Sequence, residues 1–273
     1  MTTALTASAG RGAHAQPLLL TFCGNYLRGQ QAPVLSGSVV SVLGRVGTSE
    51  HAARTAMSRM VTRGLLQRIR RGKRVYLTLT PRAEQILDEG ARRIEAPVEP
   101  VWDGSWTLLG FSLPESRRAD RHQLRARLSW LGFGMLQKGL WLAPGQIDVA
   151  SVLADLKVGS HIRVFSARAV PPAEIAEMIR ATWDLDDLSG RYHQFLRRWD
   201  HAFPVPEAAD DLARQLLMLT EWLMLVRADP RLPLEHLPTD WPAVRATQVA
   251  AALRARYEVS GGDIAGRILQ RLN

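Results

Sequence analysis

Apolar residues recur at helical spacing along most of the chain, and a few short stretches alternate instead. The run Leu18, Leu19, Leu20, Phe22, Tyr26 and Leu27 predicts a helix that opens at Pro17 and ends near Gly29. Residues 30–36, with Pro33, read as a loop. Val39, Val40, Val42, Leu43 and Val46 then define a short helix with Ser36 or Ser38 as cap, and Gly47 breaks it. Thr48 or Ser49 caps a further helix that runs to about Arg63 and stops at Gly64. Two helices joined by a tight Gly-containing turn form a helix-turn-helix. Residues 65–70 read as a strand, Arg71-Gly72 as a turn and residues 73–78 as a returning strand. Thr80-Pro81 starts the next helix, Thr80 as cap and Pro81 in the first turn.

The helix before the hairpin has two unlike faces at 100° per residue. Ala53, Ala56, Met57, Met60 and Val61 fall on one side; His51, Arg54, Thr55, Ser58, Arg59 and Thr62 fall on the other. The polar side has two arginines, hydroxyls and no acid. Such side chains reach base edges and phosphates in a major groove, although a solvated face has the same composition. The hairpin shifts the balance towards DNA. Arg68, Arg70, Arg71, Lys73 and Arg74 crowd its tip and repel one another unless an anion neutralises them. Helix, helix, outward-reading helix, basic hairpin, helix is the order of a winged helix-turn-helix.

Beyond Pro97 and Pro100, which mark a linker, the pattern changes. Residues 106–112, 135–143 and 162–169 read as strands, with helices over 116–131 and 147–156 between them. Strand, helix, strand, helix, strand suggests a split βαβ, ferredoxin-like sheet; its fourth strand appears if residues 140–143 separate from 133–138. Pro171-Pro172 opens a helix towards Trp183. From residue 184 the chain is helical, with a stripe of Leu212, Leu216, Leu219 and Leu223, a loop punctuated by Pro230, Pro233, Pro238 and Pro242, and a last helix from Pro242 to about Tyr257. All eight tryptophans follow residue 100, where core packing is their default role.

A chain of 273 residues predicts two or three domains, and 46% hydrophobic with 22% charged residues is ordinary for a folded protein. The net charge of +9 is unevenly placed. Residues 1–80 hold eleven basic side chains and one acid, Glu50, whereas the remainder holds twenty-four basic and twenty-five acidic. A basic module thus precedes a near-neutral body. Cys23 is the single cysteine, in an apolar run, which fits a buried thiol in a reducing cytoplasmic setting. Residues 1–16 lack the apolar core of a signal peptide and read as a disordered tail, and no run of about 20 apolar residues is present to span a membrane.

Several stretches together resemble the PaaX family of transcriptional repressors, which regulate phenylacetic acid catabolism. They are TSEHAARTAMSRMVTRGLL over residues 48–66, RGKRVYLTLTPRA over 71–83, WDGSWTLLGFSLP over 102–114, RARLSWLGFGMLQKGLWLAP over 125–144 and HLPTDW over 236–241. Their order and spacing, rather than any one motif, carry the resemblance, which spans Pro17 to Tyr257. It implies an α+β chain: an N-terminal winged helix-turn-helix over 17–96, a middle ferredoxin-like (Cas2-like) dimerisation domain over 101–180 and a helical C-terminal domain over 181–273. It further implies a homodimer that binds double-stranded operator DNA and leaves it on binding an aromatic acyl-CoA such as phenylacetyl-CoA.

The resemblance supplies no sharp motif for that effector. A CoA thioester needs cations for its phosphates and an apolar slot for its acyl group. Arg191, Tyr192, His193, Arg197, Arg198 and Trp199 supply both kinds of residue in one stretch, as do Lys138 and Trp141 in another; a structural junction with surface arginines is the preferred account of them. No cofactor and no catalytic residue are expected. A Cas2-like nuclease would want an Asp closing the first strand of the middle domain, where this chain reads Phe111-Ser112-Leu113-Pro114. Gly132-Phe133-Gly134 with Gly139 departs from GxGxxG, and no P-loop Lys follows, so a turn is the better reading. The histidines show no metal-binding spacing. The reading that competes with a ligand-responsive repressor is a DNA-binding architectural or adaptor dimer without an effector.

Overall fold

The computed structural model describes residues 15–95, 102–153, 156, 158–205 and 207–272. The tail expected over residues 1–16 lies outside them except for Ala15 and Gln16, which open the first helix; the linker at Pro97 and Pro100 also lies outside. The described residues fall into two compact units. One draws on Met1–Ala96, Phe195–Met224 and Ala246–Asn273, the other on Pro97–Gln194 and Leu225–Arg245.

In the first unit, helix α1 (Ala15–Tyr26) is followed by the two-residue strand β1 (Val34–Leu35), α2 (Ser36–Arg45), α3 (Glu50–Thr62), the hairpin β2 (Leu66–Arg71) and β3 (Arg74–Leu79), and α4 (Pro81–Glu95). The strands pair antiparallel in the order β1-β3-β2. Leu19, Phe22, Cys23, Val39, Val42, Leu43 and Ala53 are all fully buried, and each large apolar side chain so enclosed contributes about 1.5–3 kcal/mol. Leu212 and Leu216 of α9 (Asp211–Ala228) and Ala265 of α10 (Ala243–Ile268) belong to the same core. A buried hydrogen bond of 2.8 Å from the Thr220 hydroxyl to Thr21 ties α9 to α1.

Two local expectations change in this unit. Neither Ser36 nor Ser38 caps α2: the N-cap position is Leu35, and the Ser38 hydroxyl instead accepts from the Gln270 amide at 3.1 Å. The chain end uses this region as a template. Leu35 N–H donates to the Gln270 carbonyl, Leu272 N–H to that of Pro33, and Val34 bridges Arg271 antiparallel. The last helix, expected to stop near Tyr257, continues to Ile268 through Gly261 and Gly262. A Cβ at Gly261 would lie 2.7 Å from Gln215 Oε1, so glycine serves there as a contact point between α10 and α9. Packing of the residues beyond it outweighs the helix penalty of two glycines, about 1 kcal/mol each.

The second unit is built on a four-stranded antiparallel sheet. It contains β4 (Ser105–Phe111), a short 3-10 turn Glu115–Arg117, α5 (Arg118–Trp130), β5 (Gly134–Gln137), β6 (Leu140–Pro144), α6 (Val149–Leu153), β7 (Ile162–Arg168), α7 (Ile175–Thr182) and the first ten residues of α8 (Leu185–Trp199). The order β5-β6-β4-β7 is the ferredoxin-like arrangement. The stretch read as one strand over 135–143 is two strands, divided at Gly139 with φ of 85°, and this division supplies the fourth strand. The helix after Pro171-Pro172 begins only at Ile175. Leu109, Leu124, Leu128 and Trp141 fill one side of the sheet; Trp106, Leu142, Ile179 and Leu232 fill the other. A Cβ at Gly134 would fall 2.4 Å from Thr182 Cγ2, so this glycine is required by close packing.

Candidate nucleic-acid interface

Helix α3 begins where Ser49 accepts from the Ala52 amide at 3.3 Å and ends at Arg63, followed by Gly64 with φ of 67°. Its apolar stripe is inside: Ala53, Ala56, Met57 and Met60 are buried, and Val61 is half-buried against the same core. His51, Arg54, Ser58, Arg59 and Thr62 are exposed, and Thr55 is half-buried. The polar face read from the sequence is therefore a surface. The Thr62 hydroxyl donates to the Ser58 carbonyl at 3.1 Å, turned back onto its own helix.

The hairpin turns at Gly72-Lys73, one residue later than the periodicity suggests, and Arg71 pairs directly with Arg74. Gly72 has φ of 58°, as a two-residue hairpin turn demands of its first central residue. The strands are pinned at the other end: Thr80 donates to the Gly64 carbonyl at 2.7 Å and accepts from the Ala83 amide at 3.2 Å, capping α4 as expected. Leu66 and Leu77 anchor one face of the ribbon in the core, and Arg68 and Arg70 extend along that face past the apolar cover. Arg71 and Arg74 oppose each other on the other face.

Arg68, Arg70, Arg71, Lys73 and Arg74 are all exposed. Among the described residues none of them, nor Arg59, has a carboxylate within ion-pair reach. Like charges set directly across two strands destabilise a hairpin, so the pairing of Arg71 with Arg74 costs stability in the isolated chain. A phosphate between them removes that cost and releases counterions. Two features escaped the sequence reading. Glu50, noted only as the lone acid of the basic segment, holds Arg54 by an i,i+4 ion pair at 2.7 Å. Arg63, at the helix end and outside the face count, is also exposed; the signal was its position, one turn after Arg59.

The residues considered for an effector are divided between the two units. Lys138 and Trp141 lie in the second unit; Lys138 is an exposed residue in the turn before β6, and Trp141 is buried against Leu109 and Leu128. Tyr192 is buried and donates to Asp229, and burial and the Asp229 carboxylate push its hydroxyl pKa far up. His193 is exposed, and exposed Arg191 pairs with Asp187 at 2.7 Å. Arg197, Arg198 and Trp199 belong to the first unit. Trp199 is fully buried and donates to Glu221 at 2.7 Å, Arg198 pairs with the same carboxylate at 2.9 Å, and Arg197 is exposed. Three aromatic members thus pack in cores, and the exposed cations are left as surface groups.

A cleft of about 630 Å³ opens in the second unit between the α7–α8 junction and the loop at Pro238–Pro242. Trp183, Leu185, Trp241 and Pro242 give it an apolar wall; Asp184, Asp186 and Asp240 with Arg180 and His193 give it a polar one. Part of HLPTDW lines it, a signal the sequence carried without a role. Asp184 is already used to cap α8, accepting from Asp187 N–H at 2.9 Å.

Three family models match consecutive parts of the chain. "PaaX-like protein" covers residues 14–83, "PaaX protein central Cas2-like domain" covers 99–179, and "PaaX-like protein C-terminal domain" covers 183–266. The chain is 29% identical over 252 residues to the "Transcriptional repressor PaaX" of Escherichia coli (strain K12), a match spanning 88% of this chain and 79% of that protein. Among solved structures it resembles the "Uncharacterized protein Rv0674 from Mycobacterium tuberculosis", with a TM-score of 0.54 and 25% identity, covering 83% of this chain and 90% of that one.

Proposed function

The chain belongs to the PaaX family, and on that footing we propose that it is a ligand-responsive transcriptional repressor of phenylacetate-type catabolism, a regulator and not an enzyme. The observation that carries the DNA-binding half is the row of exposed cations, Arg59 of α3 and those of the hairpin, that have no carboxylate partner among the described residues, closed by Arg71 opposite Arg74. In this reading α1 to α4 with the hairpin form a winged helix-turn-helix. Helix α3 enters the major groove, where His51, Arg54, Thr55, Ser58, Arg59 and Thr62 meet base edges, and the wing residues Arg68, Arg70, Arg71, Lys73 and Arg74 hold phosphates. Two copies in a cytoplasmic homodimer read a two-fold-related operator, with half-site spacing set by the dimer body.

An aromatic acyl-CoA, phenylacetyl-CoA in the first instance, releases the operator. It does so only by binding one dimer geometry better than another, since a ligand with equal affinity for both shifts nothing. The exposed cations Lys138, Arg191, Arg197 and Arg198 suit its phosphates, and the aromatic neighbours are better understood as core.

Fluorescence anisotropy on the DNA upstream of the gene tests the reading. Specific DNA should bind about a thousandfold or more tighter than random DNA of equal length at physiological salt. Phenylacetyl-CoA should release it, and free CoA should not. Tight specific binding indifferent to acyl-CoA would leave the architectural-dimer reading in place. Equal binding to both DNAs would remove the operator-reading role.

A further inference from the structure

The two sheets together present four edges, and three are protected. In the first unit β1 carries the bridge to Arg271, and β2 bears Arg68, Arg70 and Arg71. In the second unit β5 is only four residues long, has an irregular register at Met135/Gln137 and is overlain at Gly134 by Thr182 and Trp183. Short strands, bulges, charges and covering segments are the usual devices against edge pairing. The fourth edge, β7, is neither short nor irregular, no segment among the described residues covers it, and its charges are two arginines, Arg163 and Arg168. It runs seven residues from Ile162 to Arg168 in unbroken register with β4, without proline or bulge. Phe165 is 58% exposed and Val164 is 45% exposed, on opposite sides of the sheet.

The two arginines on this strand do not shield it. Arg163 folds back to donate to the carbonyls of Ser160, at 3.2 Å, and Ile162, at 2.8 Å. Arg168 lies against the turn at Gly104, where a Cβ would come within 2.9 Å of its Nη1. The alternation also leaves an apolar overhang on each face: Phe165 pairs with Leu108 and Val164 with Leu109, so each extends a face of the sheet past its last strand.

We propose that β7 is the homodimer seam, pairing antiparallel with β7 of a second copy about a two-fold axis through Phe165. The occupant follows from the strand's own sequence. Centred on Phe165, the pairing puts Arg163 opposite Ala167 and Arg168 opposite Ile162, with no like charges facing. Shifted by one residue, so that Phe165 meets Ser166, it sets Arg163 directly against Arg168, which is repulsive. Among the described residues each copy has one open edge of this kind, so a single isologous contact closes both and builds no fibre. It covers Val164 and Phe165 on both faces at once. The seam rests on the proposed function for its biological sense and stands apart from it in its test.

Residues directly opposite in an antiparallel pair have Cα atoms about 4.5–5.5 Å apart, within the range of about 4.4–6.8 Å that a disulfide spans. A residue on the axis faces itself. In the full chain with Cys23→Ala, Phe165→Cys should therefore form a disulfide-linked dimer on mild oxidation. Arg163→Cys alone should not, whereas a mixture of Arg163→Cys and Ala167→Cys chains should cross-link as heterodimers. Phe165→Glu should raise the dimer dissociation constant by about tenfold or more in sedimentation equilibrium. Dimerisation of Phe165→Glu like wild type, or a Phe165→Cys chain that dimerises without cross-linking, would move the seam elsewhere; a monomeric wild type would abolish it. Anisotropy in parallel separates the two ideas: operator binding without cross-linking sinks the seam alone, and cross-linking without operator binding sinks the DNA reading alone.

Discussion

Glu50 and Arg54 form an ion pair at 2.7 Å on the exposed face of α3, so the acid of the basic segment is spent on an arginine proposed to read bases. More than half of each side chain is exposed, and an exposed i,i+4 pair is worth only about 0.3–0.5 kcal/mol. DNA can exchange it readily. The pair holds Arg54 along its own helix in the free protein and lowers the positive charge that random DNA meets.

Replacing Glu50 with Gln should accordingly raise affinity for random DNA several-fold and operator affinity less, narrowing the ratio between them. Arg54→Ala should narrow the same ratio from the other side, weakening operator binding by about 1–3 kcal/mol with a smaller loss on random DNA. Anisotropy with both DNAs at two salt concentrations measures this. Equal losses on both DNAs for Arg54→Ala would mean that it contacts phosphate.

The Arg71–Arg74 pair predicts opposite signs for stability and binding. Arg74→Ala removes a like-charge contact, so urea denaturation at low salt should show unchanged or slightly higher stability, by up to about 0.5 kcal/mol. DNA affinity should fall alike for all sequences, and the slope of log affinity against log salt should flatten by about 0.9 for the phosphate lost. A variant less stable than wild type with an unchanged salt slope would show that the guanidinium serves packing instead.

Trp199 separates scaffold from effector site. Trp199→Phe keeps most of the buried ring and deletes the bond to Glu221, which should cost about 1–3 kcal/mol in denaturation. Its folded fraction should respond to phenylacetyl-CoA as wild type does. Calorimetric titration of Arg197→Ala/Arg198→Ala is the complementary measurement: weaker acyl-CoA binding with little loss of stability would assign those cations to the ligand, and unchanged affinity would remove them.

Cys23 carries a pH signature. Burial first, and Glu84 second, push its thiol from the ordinary 9.0 up to about 12. The folded state holds the proton more tightly than the unfolded chain, so the associated stability is intact below pH 9 and is lost as pH rises towards 12. The unfolding free energy should drop by on the order of 1.4 kcal/mol per pH unit from this group across that window. Cys23→Ala should flatten the decline between pH 9 and 10, before Tyr26, itself raised to about 12, contributes. In the native protein at pH 8 the thiol should resist a thiol-reactive dye and react once denaturant is added. Rapid native labelling would contradict its burial.

Legibility varied with the range of the forces involved. The buried side of α3 was readable because Ala53, Ala56, Met57 and Met60 repeat at helical spacing, and a stripe needs no knowledge of what it packs on. The hairpin was readable to within one residue, because Gly72 meets a demand local to its own turn. The fourth strand of the ferredoxin-like sheet was uncertain, because Gln137-Lys138-Gly139 is a short polar interruption between Met135-Leu136 and Leu140-Trp141-Leu142, and only the pairing shows that it is a turn. The partners of the aromatic residues in the effector stretch were hidden for the same reason. Tyr192 and Trp199 look like a ligand's slot until Asp229 and Glu221, distant in sequence, turn out to hold their polar atoms.

By itself the sequence determined what is local or additive: charge concentrated in the first 80 residues, the two-sided α3, the basic hairpin, and the family through the order of several short stretches. Tertiary structure alone decided the rest. It extended α10 through Gly261 and Gly262 because contact with Gln215 and burial of Ala265 outweigh local propensity. It laid the chain end along Val34 and Leu35, and gave Ser38 to Gln270 instead of a helix cap, because unpaired backbone groups take partners from wherever the fold brings them. It left β7 bare with Phe165 outward, since whether a strand is an edge depends on the order of its neighbours and on nothing in its own seven residues.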